Sequence, residues 1–261
     1  MAVVNGSFGH PMKVEEQSTA FLAGGILGNG YQCGMLWGAA LAAGAEAYRR
    51  FGAGPRAETE AILGAQRLVA TFRARYRSSE CGEITRMVWK SALKGGLTKE
   101  AMRFILRGGP ISCFTMAAGY APAAAREINR MAPDVPIAVP DAPVSCASLL
   151  LRNMGASELH TVMVAGLAGG IGLSGGGCGA LGAAIWMLDM NTRPEGTKVT
   201  GFDNPKVEEL IEGFLESSDY EFECSAVVGR RFESVEDHAV HLRAGGCSQI
   251  LEALARLTPA T

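Results

Sequence analysis

Apolar residues recur along this chain with helical rather than strand spacing, and two long stretches carry no charge at all. Residues 56–76 read as an amphipathic helix, with Ile62, Leu63, Leu68, Val69 and Phe72 toward one face and Arg/Glu residues elsewhere. Residues 33–51 read as a small-residue helix halted at Phe51-Gly52-Ala53-Gly54-Pro55. Further helices are predicted from near Glu15, from Thr98 to the stop at Gly108-Gly109-Pro110, and from Cys113 with a break at Pro122. In the second half they are predicted from Cys146, over 206–215 and 235–242, and after Gly245-Gly246-Cys247. Residues 1–12 read as a loose lead-in, and prolines 133, 136, 140 and 143 make 131–143 an extended connector. Strand-like alternation is scarce. The expected fold class is all-α: two tandem repeats of about five helices each, spanning 1–130 and 144–261.

The repeat is visible in the uncharged stretches themselves. Residues 161–188 run 28 positions without a charge and include nine glycines. A shift of 145 positions lays Leu22-Ala23-Gly24-Gly25-Ile26 on Leu167-Ala168-Gly169-Gly170-Ile171 and Cys33-Gly34 on Cys178-Gly179. Ten of twenty-five positions are then identical. Although 161–188 is long enough to span a bilayer, Gly175-Gly176-Gly177 interrupts it and no Lys/Arg cluster flanks it. Membrane insertion is therefore disfavoured.

Composition narrows the function classes. A net charge of −2 with only 19% charged residues leaves no basic stripe for nucleic acid. Residues 1–11 lack the basic start and apolar core of a signal peptide, so the expected location is the cytoplasm. There, seven cysteines are expected to serve as thiols, metal ligands or catalytic groups rather than structural disulfides. With 34 glycines, close helix approach is expected, and an exposed Gly/Ala face would favour a homo-oligomer.

The cysteines follow cap-like residues. Ser112 precedes Cys113, Ser145 precedes Cys146, Gly245-Gly246 precedes Cys247, and glycine loops precede Cys33 and Cys178. Cys81 follows Ser79-Glu80, and Cys224 is the weakest case. At least six of the seven are expected in a helix's first turn, where free amides and the macrodipole favour a thiolate. The bland alternative is that each is a small buried hydrophobe. Matched spacings of 48 (Cys33 to Cys81) and 46 (Cys178 to Cys224) argue against it.

With these positions in view, the chain resembles the C_GCAxxG_C_C family, a redox-active family named for its cysteine pattern. Cys146, Cys178-Gly179-Ala180-Leu181-Gly182-Ala183, Cys224 and Cys247 reproduce the whole pattern in the second half. Cys33, Cys81 and Cys113 give three of four in the first, whose leading cysteine and much of its helix are expected to be absent. The resemblance implies redox-active cysteines, working as a dithiol/disulfide or as ligands of an iron–sulfur cluster. Cys146, Cys178, Cys224 and Cys247 are the candidate ligands. Gly177 and Gly179, which flank Cys178, are candidate cofactor-binding positions. A related domain is associated with split-Soret cytochromes, but no C-x-x-C-H occurs here, so covalent haem is not expected. The redox partner is not legible.

Three competing signals remain. Gly170-Ile171-Gly172-Leu173-Ser174-Gly175 satisfies a dinucleotide fingerprint, with Asp189 near the place of a ribose-binding acid, but no strand–helix alternation supports it. His238 and His241 share a helix face at i, i+3, and surface histidines are the expected reading. Trp37 and Trp186 are expected to be packing groups. The rival to redox chemistry is a non-catalytic helical scaffold that binds a small molecule or cofactor and merely buries its cysteines.

Overall fold

The computed structural model describes residues 1–87, 99–193 and 204–258. Among them lie fourteen α-helices and no strand. Before the connector come α1 (Ala2–Ser7), α2 (Lys13–Gln17), α3 (Gly34–Phe51), α4 (Pro55–Tyr76), α5 (Cys81–Thr85), α6 (Lys99–Leu106) and α7 (Gly109–Asn129). After it come α8 (Cys146–Asn153), α9 (Glu158–Met163), α10 (Gly179–Thr192), α11 (Pro205–Ser217), α12 (Cys224–Val228), α13 (Val235–Arg243) and α14 (Ser248–Leu257). The protein is all-α. Each half has seven described helices where about five were expected, because helices of five or six residues are too short to show a period. The helix expected from Thr98 is described from Lys99 onward; Thr98 itself lies outside the described residues.

Side chains start several of these helices as the sequence suggested. Ser145 Oγ accepts from the Ser148 amide at 3.3 Å, Asn204 Oδ1 from Lys206 at 3.1 Å and Ser234 Oγ from Asp237 at 3.0 Å. Two expectations fail. The lead-in contains helix α1, so the first half keeps the counterpart of α8, and the 145-residue shift places Met1 at the position of Cys146. Helix α7 begins at Gly109, with Pro110 in its first turn, and runs unbroken through Pro122. Two hydrogen bonds in the turns just before that proline tie α7 to α4, from Tyr76 Oη to the Met116 carbonyl and from Tyr120 Oη to the Leu68 carbonyl, each 3.0 Å. These contacts hold the helix where the ring removes a backbone bond.

One apolar cluster runs through both halves and has Trp37, Trp186, Phe72 and Phe214 at its centre. Helix α3 packs on α4, on α9 and on the 3-10 turn Ala165–Leu167, while α10 packs on the 3-10 turn Ser18–Leu22. Glycine makes this approach feasible: a Cβ on Gly44 would lie 2.3 Å from the Met163 carbonyl oxygen, and one on Gly182 would lie 2.2 Å from the Trp37 ring. The two repeats are therefore interlocked around a shared interior. Every residue of α10 from Gly179 to Asp189 is buried, which accounts for the absence of charge up to Leu188; Asp189 is paired with Arg193. No described helix is long and apolar enough to cross a membrane.

Candidate functional site

Each repeat approaches its Cys-Gly motif through a turn of left-handed backbone. Gly24 through Gly28 all have positive φ, as do Gly169 through Leu173, and Ile26, Leu27, Ile171 and Leu173 are among them. Such a conformation costs a non-glycine residue roughly 1–2 kcal/mol, so the surrounding structure must hold it. Matching hydrogen bonds close the two turns: Gly30 amide to Gly24 carbonyl at 3.0 Å, and Gly175 amide to Gly169 carbonyl at 2.9 Å. The sequence 170–175 is thus a turn closed on itself rather than a strand-to-helix phosphate loop. With no strand among the described residues and Asp189 ion-paired to Arg193, the dinucleotide reading is dropped.

The turn then delivers two cysteines together by the same device in both copies. An isolated antiparallel bridge pairs Gln32 with Glu80 in the first half and Gly177 with Glu223 in the second. Cys33 donates its amide to Ser79 O (2.8 Å) and Cys81 to Tyr31 O (2.7 Å); Cys178 donates to Phe222 O (3.0 Å) and Cys224 to Gly176 O (2.7 Å). Four helices therefore start beside one another in pairs, a long one with a five-residue one in each half. Cys33, Cys178 and Cys247 are N-cap residues, and Cys81, Cys146 and Cys224 are first helical residues. Six of seven hold the expected position. The exception is Cys113, the fifth residue of α7, not Cys224.

Cys113 departs because its helix starts early. In both halves a glycine with positive φ, Gly108 or Gly245, is followed by a glycine whose Cβ would strike an aromatic ring, Phe104 or His241. On that alignment Cys247 matches Pro110, and Cys113 lies three residues deeper, about one helical turn.

In the second half all four thiols stand close enough to influence one another's ionisation. Cys146 and Cys247 act on Cys178; Cys178, Cys146 and Cys247 act on Cys224; Cys146 acts on Cys247. All six pairs are thereby coupled. In the first half Cys113 acts on Cys33. Cys33, Cys113, Cys146, Cys178, Cys224 and Cys247 are free, and among the described residues no group of three or more His, Cys, Asp and Glu is placed to hold a metal ion.

The expected thiolate character does not follow. Burial pushes Cys33 up to about 11 and Cys178 and Cys247 to about 12, and also raises Cys113, Cys146 and Cys224. Nearby backbone amides do oppose this: those of Leu181 and Ala180 act on Cys178, and those of Gly169 in the turn and of Ala147 act on Cys146. Desolvation outweighs them, because taking a full charge out of water costs more than a few oriented amides return.

The flanking glycines have structural duties. Gly177 donates its amide to Gln32 Oε1 at 2.7 Å, and a Cβ on Gly179 would lie 1.8 Å from Leu167 O. The chain itself thus fills both places assigned to a cofactor. Gln32, fully buried, also donates from Nε2 to Gly170 O at 2.9 Å, so one side chain of the first repeat secures the loop of the second. Tyr31 stacks on Phe222 across the same seam, with centroids 4.1 Å apart.

Trp37 and Trp186 are packing groups, each donating its indole N–H to a carbonyl, Gln32 O for Trp37 and Glu15 O for Trp186. Of the two histidines expected on the surface, His238 is buried and His241 is half-buried. His238 is buried with Nδ1 2.9 Å from Val144 O, and His241 places Nε2 3.6 Å from Cys247 Sγ. His241 was missed as a site residue, although the Gly245-Gly246 turn that folds Cys247 back toward its helix was legible.

Fold and site together define a duplicated helical protein that gathers buried thiols at helix starts. The sequence profile described as "Putative redox-active protein (C_GCAxxG_C_C)" matches residues 1–124 and again 144–260. The chain belongs to the C_GCAxxG_C_C family and carries its domain twice. No curated protein and no solved structure matches it.

Proposed function

We propose that the chain is an electron-transfer protein whose centre is an iron–sulfur cluster held by Cys146, Cys178, Cys224 and Cys247. The gathering of four helix-start cysteines in one neighbourhood, with Cys178 and Cys224 set side by side by the Gly177–Glu223 bridge, carries this reading. Three buried thiols and a half-buried fourth in one neighbourhood cannot all ionise unless a cation compensates them, and cluster iron would supply that charge. Four cysteines also form the usual donor set of such clusters. A multi-iron cluster spreads its ligands over a wider perimeter than one ion does, which suits sulfurs that feel each other yet form no single-ion site. Structural zinc suits them less.

The bound cluster would accept and release single electrons. The protein supplies the rest: amides of Leu181, Ala180, Gly169 and Ala147 directed at the sulfurs would shift the potential, and the apolar surround would keep water out. In the first half Cys33, Cys81 and Cys113 give an incomplete set. We place the activity in the cytoplasm, where cysteines persist as thiols.

A second reading rests on Cys247. It is only half-buried and borders a cavity of about 360 Å³ beside His241, as a thiol that exchanges with a partner disulfide would. Anaerobic purification with iron, sulfide and visible-absorption measurement tests the assignment. Stoichiometric iron and sulfide, lost in Cys178→Ser and Cys224→Ser, are expected. A colourless protein whose thiol count changes with dithiothreitol would transfer the assignment to disulfide chemistry, and neither response would leave only the scaffold.

A further inference from the structure

The two repeats each open a cavity onto their last cysteine, but the two cavities differ in charge. The one beside Cys247 is lined by Asp219 and by no arginine. The one beside Cys113, about 510 Å³, is lined by Arg86, Arg103 and Arg107. Among its described lining residues there is no acid. None of the three arginines forms an ion pair among the described residues, whereas nine cationic side chains elsewhere do. Thr85 and Ser112 add hydroxyls to the wall, and Phe104 adds an apolar face.

We infer that this cavity binds a small organic anion bearing carboxylate or phosphate groups. Three guanidinium groups held around one concavity repel each other, and an anion relieves that repulsion while accepting paired N–H donors from each fork. The volume lies in the range of small-molecule sites. A macromolecular polyanion would instead need a flat or grooved basic surface, and the chain's net charge of −2 supplies none. Gly109 and Ser112, in the first turn of the 21-residue helix α7, also line the cavity, so the start of that helix borders the arginines. The anion would cover Cys113, so occupancy would control access to that thiol. This stands independently of the chemistry assigned to the second half.

The test uses the full chain with citrate and pyrophosphate as probes. Isothermal titration at low and moderate salt should show binding of at least one of them, weakening as salt rises. Arg103→Gln and Arg107→Gln, both at exposed positions, should each weaken it by roughly tenfold, about 1.4 kcal/mol. Arg86 is left intact because it also borders a neighbouring cavity with Glu80 and Glu223. In parallel, saturating probe should slow iodoacetamide labelling of Cys113, read by peptide mass spectrometry, while leaving Cys247 unchanged. The inference fails if neither anion binds at millimolar concentration, or if the double variant binds undiminished. It also fails if heparin or an oligonucleotide binds while both small anions do not.

Discussion

Gln32 is the residue through which the first repeat holds the second, so its replacement gives the sharpest test of the interlocked architecture. Its Oε1 accepts from Gly177 N at 2.7 Å and its Nε2 donates to Gly170 O at 2.9 Å. Gln32→Leu keeps the volume and removes both bonds. Gly170 O retains the Ser174 hydroxyl, so the group left stranded is the Gly177 amide. A buried, unsatisfied amide costs about 1–3 kcal/mol, the expected loss in stability. Gln32→Ala adds a cavity and should cost about 1 kcal/mol more. Urea unfolding followed by far-UV circular dichroism measures both.

Gln32→Glu adds a signature that simple loss of packing cannot mimic. The carboxylate still accepts from Gly177 but faces Gly170 O with a second acceptor. Burial raises its folded pKa, so its contribution is greatest below the unfolded value near 4.3 and is lost as pH rises through the folded one. The variant should therefore recover stability on acidification relative to wild type. A cost below about 0.5 kcal/mol for Gln32→Leu, smaller than any stranded buried amide should give, would refute the role assigned to this side chain.

Gly179→Ala should destabilise by about 3 kcal/mol or more, because the Leu167 carbonyl blocks its Cβ; Gly34→Ala, whose Cβ would sit 3.0 Å from Ala23 Cα, should cost about 1 kcal/mol. Equal costs in thermal melts would show that the copies pack alike. A double-mutant cycle on Tyr31→Ala and Phe222→Ala should give a coupling of about 0.5–1.5 kcal/mol. A coupling near zero would mean that the stack does not join the halves. For the metal-free protein, Cys33, Cys178 and Cys247 have folded values of about 11 to 12. Unfolded thiols ionise first, so stability holds below pH ~8.5 and falls above it by up to about 1.4 kcal/mol per pH unit for each thiol. Urea midpoints that stay flat from pH 8 to 10.5 would contradict the burial of these groups.

By itself the sequence determined whatever depends on neighbours along the chain. Cap residues such as Ser145 and Ser234 mark helix starts because their side chains bond amides two or three positions on. The Leu-Ala-Gly-Gly-Ile block announces its repeat because identical segments adopt identical turns, even where Ile26 and Ile171 take a left-handed conformation. The all-α class and the six cysteines at helix starts follow from such local rules. Where those rules were outvoted, the partners were remote: α7 runs on through Pro122, and two tyrosine hydrogen bonds in the turns before it pin the helix to α4. The ionisation of the thiols was decided by tertiary structure alone, since desolvation depends on every atom packed around Cys178 and Cys224, not on the amides adjoining them. Tertiary structure alone also brought Gln32 into the second repeat's loop and gathered Arg86, Arg103 and Arg107 around one cavity, for charge and burial are properties of space rather than of sequence.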